Sequence, residues 1–277
     1  MKKCVAVRTI IYFVIAALLL AVPMCVWFVK ENKAEKMQVD ILFLGDSLIG
    51  QYRDETSVPY LVGQALGKTT FNGAFGGSTM TWYPDENSDY YQRYGLNFPA
   101  LVQAICTDDF GVQKSLHMND IGTEDFQDVI MYMESIAYDE LEILVLEYGT
   151  NDYFSGTLID GDENIECFAG SFARGIEALQ EHFPNLRIVV VSPTFNWHYA
   201  AHMNCEQVEF GGGYLSDYNN ALIELCDKYA LEYITLYELY NHEFDIFECR
   251  LYTEDGVHPN EYGRQLIANE IVKYLAQ

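Results

Sequence analysis

The fold is decided by the stretch ILFLGDSL, residues 41–48. Its apolar run ends abruptly at Gly45, and Asp46 and Ser47 follow at once. A short apolar run that ends at a glycine is typical of a strand buried in a parallel sheet. Open α/β sheets place their ligands and reacting groups at the carboxyl ends of the strands. The stretch therefore predicts an α/β protein with a candidate reactive hydroxyl at Ser47.

Three later segments place further polar groups at predicted strand ends or turns. The stretch TFNGAFGGST, residues 70–79, opens a short strand into a glycine-rich turn that can aim backbone N–H groups into a cleft. The stretch ILVLEYGTND, residues 143–152, is another apolar strand, and a side-chain amide lies in the turn after it. In DGVHPN, residues 255–260, an aspartate and a histidine three residues apart can reach each other across one turn.

These residue types suit nucleophilic catalysis by serine. A serine hydroxyl is a weak nucleophile until an imidazole accepts its proton, and a carboxylate holds that imidazole in one tautomer. The candidates for the three roles are Ser47, His258 and Asp255. Each residue taken singly also has an ordinary structural interpretation, since Asp255 could cap a helix and His258 could be a surface turn residue. The catalytic interpretation depends on all four segments meeting at one place.

The four segments together resemble the SGNH or GDSL hydrolase superfamily, whose sequence blocks carry Ser, Gly, Asn and His in this chain order. The resemblance covers nearly all of the chain after its apolar amino terminus. It implies that Ser47 is the nucleophile, that His258 is the general base and that Asp255 orients His258. It also implies an oxyanion hole made by the backbone N–H groups of Ser47 and Gly77 and the side-chain amide of Asn151. No cofactor and no metal are implied.

Further residues near these segments are candidates for contact with substrate: Asp46, Tyr153, Trp197 and His198. The last two belong to an aromatic cluster, FNWHY at residues 195–199, which follows a predicted strand at the same edge of the sheet. Aromatic faces suit sugar rings or acyl groups, although aromatic side chains more often fill a core.

Strand and helix patterns alternate along the chain, as a parallel sheet requires. Strands are predicted at 39–44, 69–72, 142–147, 187–192 and 232–236, and helices near 58–66, 98–107, 126–137, 168–182, 214–229 and 260–276. The expected fold class is α/β, a three-layer α/β/α sandwich of the flavodoxin-like SGNH hydrolase kind with a five-stranded, mainly parallel sheet. The region at about 80–141 is expected to form a cap-like insertion over the cleft.

The amino terminus predicts a membrane anchor. Residues 1–9 form a short basic tail, and residues 10–29 carry no charge. A helix of that length extends about 30 Å, the thickness of the hydrocarbon core of a bilayer. No small-residue cleavage site follows the apolar run, which favours a retained anchor over a cleaved signal. We expect a single transmembrane signal-anchor helix at 10–29, a linker at 30–37 and a hydrolase domain at 38–277, outside a bacterial cell membrane.

Charge restricts the partners of the domain. From residue 37 onward, 10 Lys and Arg stand against 39 Asp and Glu, a net charge of −29. Nucleic acid is an unsuitable partner, because its binding depends on cations that neutralise phosphates. Polyanionic substrates are disfavoured for a similar reason. Neutral, cationic or zwitterionic small-molecule or glycan esters fit this charge better.

The sequence thus predicts a serine esterase or acylhydrolase that removes acetyl or other short acyl groups from carbohydrate at the cell surface. An acyltransferase, a lipase or a thioesterase would use the same site. The alternative from a different functional class is a catalytically inactive surface glycan-binding protein. Fold and triad alone do not choose the substrate.

Overall fold

The computed structural model describes residues 36–83, 94–116, 126–160, 166–199, 201–240 and 249–277. The chain divides into two units, Met1–Lys36 and Met37–Gln277, and almost every described residue belongs to the second. The predicted basic tail, the predicted span at 10–29 and most of the linker at 30–37 lie outside the described residues. Among the residues that are described, no helix has the length and apolar character needed to cross a membrane.

A five-stranded parallel sheet forms the centre of the second unit. Its strands are β1 Ile41–Gly45, β2 Thr70–Asn72, β3 Ile143–Glu147, β4 Arg187–Val191 and β7 Glu232–Ile234. They lie in the spatial order β2-β1-β3-β4-β7, and every neighbouring pair is parallel. In this doubly wound order the chain leaves β1 first toward one edge and then toward the other, which opens a crevice at the carboxyl ends of β1 and β3. All five predicted strands are confirmed.

A short antiparallel hairpin and several helices complete the fold. The hairpin strands are β5 Trp197–His198 and β6 Met203–Asn204. The helices are α1 Ser47–Gly50, α2 Val58–Leu66, α3 Phe98–Thr107, α4 Gly111–Ser115, α5 Phe126–Glu134, α6 Thr150–Phe154, α7 Phe168–His182, α8 Leu215–Tyr229, α9 Cys249–Tyr252 and α10 Glu261–Leu275, with a 3₁₀ turn at Tyr138–Glu140. The longer helices were predicted, whereas the short ones at the ends of β1 and β3 were not.

Each face of the sheet has its own core, because successive strand residues point to opposite faces. Leu42 and Leu44 of β1 pack into one hydrophobic cluster with residues of α3, α5, α7 and α8. Ile41 and Phe43 pack into a second cluster with residues of α2 and α10. Helices therefore cover both faces, and the predicted three layers are present.

The register of the central strands brings two chain segments together at the crevice. Gly45 of β1 pairs with Glu147 of β3, so the residues that follow both strands leave the sheet side by side. A Cβ atom on Gly45 would lie 2.5 Å from the carbonyl oxygen of Glu147. Only glycine allows this approach without a backbone shift.

The predicted cap-like insertion at about 80–141 stays a prediction, and residues 84–93 and 117–125 of it lie outside the described residues. Helix α3 starts at Asn97, whose Oδ1 accepts a hydrogen bond from the N–H of Ala100 at 2.9 Å. The helix buries Phe98 and Leu101 in the first core cluster. Gly175 of α7 makes room for it, because a Cβ there would lie 2.2 Å from the ring of Phe98. Helices α3 and α5 are thus part of the layer on the sheet, since their apolar faces pack against it.

Candidate active site

Ser47 lies at the carboxyl end of β1 and is the first residue of α1. Asp46 is the N-cap of this helix, and its Oδ1 accepts a hydrogen bond from the N–H of Leu48 at 2.9 Å. An aspartate in this position satisfies a backbone donor that the first helical turn leaves free. The cap therefore fixes the turn that carries the half-buried Ser47.

The structure brings Ser47, His258 and Asp255 together from positions up to 211 residues apart. His258 Nε2 lies 2.9 Å from Ser47 Oγ, and His258 Nδ1 lies 2.7 Å from Asp255 Oδ2. The second oxygen of Asp255 accepts the backbone N–H groups of Val257 at 3.0 Å and His258 at 2.8 Å. One carboxylate thus holds both the imidazole ring and the backbone of the turn that carries it.

The contact between Asp255 and His258 shifts both pKa values toward the charged forms. The hydrogen bond from the ring to Asp255 raises the pKa of His258, although partial burial acts in the opposite direction. Burial acts to raise the pKa of Asp255, but hydrogen bonds from the ring and backbone of His258 and from the backbone of Val257 outweigh it and lower the pKa to about 2. The carboxylate is therefore ionised at neutral pH, and the imidazole is a stronger base than an unpaired histidine.

Gly77 lies in the turn that follows β2, and Asn151 lies in the first turn of α6, just after β3. Gly77 has a φ of +77°. A Cβ atom on the preceding Gly76 would lie 3.8 Å from the Cβ of Ser47, so this turn passes beside the serine. Asn151 Nδ2 donates to the carbonyl of Ser78 at 3.0 Å, while the second N–H of the amide has no acceptor within the described residues. The amide is thereby tied to the glycine turn.

Asp152, which the sequence analysis did not identify, holds the same turn. The residue is fully buried, and its two oxygens accept the backbone N–H groups of Met80 and Thr81, both at 2.9 Å. Hydrogen bonds to a carboxylate are roughly twice as strong as those between neutral groups. Together with the bond from Asn151 to Ser78, they attach the start of α6 to the segment after the glycines. The adjacent Asn and Asp after an apolar strand were the available signal.

Asp46 faces Glu147 of the neighbouring strand. Both residues are buried, and the N–H of Asp46 donates to the carbonyl of Glu147 at 3.2 Å. Burial raises the pKa of Asp46 to about 6, and burial together with repulsion from Asp46 raises the pKa of Glu147 well above its usual range. Burial and this repulsion therefore both favour the protonated form of Glu147. The prediction that Asp46 contacts substrate is wrong, because no part of the residue is exposed.

Tyr153 is also enclosed by its neighbours. Its hydroxyl lies 3.0 Å from His198 Nε2 and donates to the carbonyl of Val208 at 2.8 Å, and the residue is 0% exposed. The prediction that Tyr153 contacts substrate is therefore wrong. The ring of His198 packs against Phe154 and Phe210 at centroid distances of 5.0 and 5.4 Å. Burial lowers the pKa of His198, and its contact with substrate stays a prediction.

Trp197 reaches the site through its backbone. Its N–H donates to the carbonyl of Gly256 at 2.9 Å, and Gly256 lies between Asp255 and His258. Gly256 has a φ of +94°, and a Cβ atom on it would lie 2.1 Å from the carbonyl oxygen of Trp197. The β5–β6 hairpin therefore supports the turn that carries the histidine. Contact between the Trp197 ring and substrate stays a prediction.

Arg264 of α10 joins the segment after the serine to the segment around the histidine. Its guanidinium donates to the backbone and side-chain oxygens of Thr56 at 3.0 and 2.8 Å and to the carbonyl of Pro259 at 2.9 Å. It also stacks 3.6 Å from the ring centroid of Tyr52, whose hydroxyl donates to Glu254 at 2.5 Å. Sequence reasoning missed this residue, because contacts between positions 208 apart have no local signature.

The arrangement provides a hydroxyl within hydrogen-bonding distance of a base, which can accept its proton. Backbone and amide N–H groups lie on the adjoining turns, where they can stabilise negative charge. Within the described ranges, no group of three or more His, Cys, Asp or Glu side chains could hold a metal ion.

Comparisons with known proteins support the resemblance to the SGNH or GDSL hydrolases. The profile of the GDSL-like lipase/acylhydrolase family matches residues 41–271. An acetyl xylan esterase is similar in structure, with 17% identity, a TM-score of 0.55, and coverage of 86% of this chain and 100% of that one. A carbohydrate acetylesterase from Sinorhizobium meliloti shows 16% identity, a TM-score of 0.55 and coverage of 87% and 99%. A possible lipase from Chitinophaga pinensis shows 15% identity, a TM-score of 0.56 and coverage of 86% and 98%.

Identities this low show a shared fold and nothing finer. No curated protein sequence matches the chain. The family profile, however, covers most of the chain, and it confirms the resemblance that the four sequence segments predicted. The protein therefore belongs to the GDSL-like lipase/acylhydrolase family of ester-cleaving hydrolases.

Proposed function

We propose that Ser47, His258 and Asp255 form the catalytic triad of a serine esterase. The observation that carries the proposal is the continuous pair of hydrogen bonds from Ser47 Oγ through the imidazole to Asp255, at 2.9 and 2.7 Å. His258 takes the hydroxyl proton as Oγ bonds to the ester carbonyl carbon, and it returns the proton to the alkoxy oxygen as the alcohol leaves. Water then attacks the acyl-serine, with His258 again accepting and returning the proton.

We propose that the negative oxygen of the tetrahedral intermediate is bound by the N–H groups of Ser47 and Gly77 and by the amide of Asn151. The link from Asn151 to Ser78 and the two hydrogen bonds that Asp152 accepts support this assignment, because they hold the amide and the glycine turn in fixed positions. Donors that are already oriented stabilise a developing charge without a cost of reorganisation during the reaction.

For the substrate, we propose acetyl or another short acyl ester on a carbohydrate. Two of the structurally similar proteins are named as an acetyl xylan esterase and a carbohydrate acetylesterase, which supports this choice. The acidic domain favours a neutral glycan over a polyanionic one. We also propose that the charge-free span at 10–29 anchors the domain at the outer surface of a bacterial membrane.

A fluorophosphonate probe is expected to label the full-length chain once, at Ser47, and to abolish hydrolysis of p-nitrophenyl acetate in proportion to labelling. Only a serine activated by a neighbouring base reacts readily with such a probe. Intact mass and peptide mapping measure the label. The control variant is Ser135→Ala. The backbone carbonyl of Ser135 accepts the N–H of Met37, which precedes β1, so this serine lies near the amino-terminal end of the strand, whereas Ser47 lies at its carboxyl end. Glycan binding without labelling would instead support the inactive binding protein.

The rate is expected to fall in acid as His258 becomes protonated, because a charged imidazole cannot accept the serine proton. Asp255 raises the pKa of His258, so the midpoint of the fall in kcat/KM is expected above the ordinary histidine value of 6.5. Asp255→Asn should move the midpoint to lower pH and slow the reaction. Glu254→Gln should move it in the same direction by less, since its charge acts on the ring only through space. If the midpoint does not move in Asp255→Asn, the fall in kcat/KM at low pH reports the protonation of a group other than His258.

Gly256→Ala is expected to lower kcat/KM about a hundredfold, because a shift of about 1 Å in a catalytic group can cost that much. The added methyl would meet the Trp197 carbonyl, and the backbone at φ +94° disfavours any side chain. Gly67→Ala is the matched control, since Gly67 also has a positive φ, +65°, but has open space around its Cβ position. We expect Gly67→Ala to lose stability and keep its activity. Equal kcat/KM in both variants would contradict the supporting role of the hairpin.

A further inference from the structure

A cavity of about 340 Å³ opens beside β2, the edge strand of the sheet. Its volume is within the range of small-molecule binding sites. Six of the residues that line the cavity indicate that it binds a ligand: Arg53, Tyr60, Phe71, Asn72, Asp128 and Tyr132. We propose that this cavity is a subsite for a sugar ring of a neutral glycan chain whose ester is cleaved at Ser47. The inference rests on the proposed function and adds a second binding position to it.

Two tyrosines line the cavity from opposite layers of the fold. Tyr60 lies in the first turn of α2 and is 39% exposed, while Tyr132 lies near the end of α5 and is 55% exposed. Phe71 of β2 lies between them in the wall and contacts the Tyr132 ring at a centroid distance of 6.3 Å. Exposed aromatic rings that converge on one cavity provide flat apolar surfaces on which the C–H face of a sugar ring can pack.

The polar groups of the cavity are suited to hydroxyl groups. Within the described residues, the Asp128 carboxylate and the hydroxyls of Tyr60 and Tyr132 make no hydrogen bond or ion pair. Arg53, by contrast, donates to the carbonyls of Asn72 and Ala74, both at 2.6 Å. The cavity thus offers acceptor and hydroxyl groups, while its cation is already paired with backbone oxygens.

These groups favour a sugar over the other occupants of comparable size. An anionic ligand would be repelled by Asp128 and by the net charge of −29 on the domain. An acyl chain has no hydrogen-bond donor, so it would bury the Asp128 carboxylate without a partner. Burial of an unpaired charge costs free energy. A neutral polyol supplies donors to the carboxylate and an apolar face to the rings.

The inner wall of the cavity is continuous with the segments that form the active site. Asn72 Nδ2 donates to the carbonyls of Ile49 in α1 and Tyr52 just after it, both at 3.0 Å. Asn72 Oδ1 accepts the N–H of Ala74, two residues before the glycine turn. The segment carrying Ser47 and the segment leading to Gly77 therefore meet at Asn72, behind the cavity. A glycan seated in the cavity would therefore border both segments, and the proposal places the ester that Ser47 cleaves on a neighbouring sugar of the same chain.

The test compares two kinds of substrate on the full-length chain. Initial rates are measured with p-nitrophenyl acetate, which cannot reach both positions, and with fragments of O-acetylated xylan and O-acetylated glucomannan. In Tyr60→Ala/Tyr132→Ala, KM for the better glycan is expected to rise about tenfold, the equivalent of about 1.4 kcal/mol, as lost aromatic contacts predict. The rate with p-nitrophenyl acetate should stay unchanged, which also shows that the variant is folded.

Two further variants sharpen the comparison. Met131→Ala removes a side chain of α5 that is 54% exposed but does not line the cavity, and it should leave KM for the glycan unchanged. Asp128→Asn keeps the shape of the cavity and weakens acceptance of sugar hydroxyls, so it should raise KM for the glycan only.

The outcomes separate this inference from the proposed function. An unchanged KM for the glycan in the double tyrosine variant would overturn the subsite. Hydrolysis of p-nitrophenyl acetate with no hydrolysis of either glycan would also overturn the subsite. A raised KM for p-nitrophenyl octanoate in the double tyrosine variant would overturn it too, because that result would place an acyl chain in the cavity. A parent protein that fails to hydrolyse p-nitrophenyl acetate would instead refute the esterase assignment, and the subsite with it.

Discussion

Ser47→Ala is expected to lower kcat for p-nitrophenyl acetate by at least about 10³-fold, because loss of the nucleophile leaves only binding and oxyanion stabilisation to accelerate the reaction. The side chain is half buried, and among the described residues its Oγ is hydrogen bonded to His258 Nε2 alone, so the substitution removes that bond and leaves the sheet intact. We expect the thermal stability of the variant to stay close to that of the parent. Steady-state rates and a thermal melt measure the two effects.

The double variant Ser47→Ala/His258→Ala separates a catalytic unit from two independent contributions. Residues that act in the same chemical step lose nearly all of their effect when one of them is removed. We therefore expect the double variant to be no slower than Ser47→Ala alone. If the fold-loss of kcat in the double variant equals the product of the losses in the two single variants, His258 acts in a step that does not involve Ser47. A parental kcat in Ser47→Ala would refute the assignment of the nucleophile.

The sheet could be predicted because its signals are local. The apolar run before Gly45 places β1, and comparable runs place β3 and β4 within one or two residues of their observed bounds. Part of the candidate site could be predicted because parallel strands end at one edge of the sheet, so residues just after two neighbouring strands meet there. Ser47 and Asn151 follow from this rule, whereas His258 was predicted from the DGVHPN segment and its resemblance to the hydrolase superfamily.

Burial of individual side chains could not be predicted in the same way. Asp46 and Tyr153 lie next to candidate catalytic residues in the sequence, yet both are fully buried because neighbouring elements close over them. Glu147 occupies a strand position that would suit a valine, and only the pairing of β1 with β3 shows that it meets Asp46. The burial of a polar side chain depends on which distant segment packs beside it.

The predicted cap at 80–141 rests on a different kind of signal. The long distance between the second and third sequence blocks suggested an insertion over the cleft, although the pattern at 98–107 already predicted a helix with an apolar face. The structure places that face against the sheet, where Phe98 packs over Gly175. The spacing between two motifs therefore predicts only that additional residues lie between them. The amphipathic pattern of those residues predicts where they pack.

Long-range contacts complete the candidate site and are the part least visible in the sequence. Arg264 connects Thr56, nine residues after Ser47, with Pro259, one residue after His258. Its side chain is buried, so these hydrogen bonds form in a region of reduced dielectric and hold the two segments at a fixed separation. Arg264, a residue of α10 that takes no part in the proposed chemistry, therefore connects the segment that follows Ser47 with the segment that carries His258.

Asn151→Ala is expected to lower kcat by about 10² to 10³, the usual loss for one oxyanion donor, with a smaller change in KM. The amide is proposed to bind the oxygen only when it carries the charge of the tetrahedral intermediate, so its loss should affect the transition state more than the bound ester. Rates with p-nitrophenyl acetate measure both constants. The matched control is Asn219→Ala, which deletes the same group from a buried residue of α8 whose Oδ1 accepts the Tyr233 hydroxyl at 2.7 Å.

Asn219→Ala should lower the melting temperature and leave kcat unchanged, because the hydrogen bond that its amide makes within the described residues joins α8 to β7. Asp152→Asn then distinguishes two roles for Asn151, since it weakens the attachment of the turn at Met80 and Thr81 without removing the amide. A larger loss of kcat in Asn151→Ala than in Asp152→Asn would favour direct binding of the oxyanion. Equal losses would mean that Asn151 acts by holding the carbonyl of Ser78, and through it the glycine turn, in place.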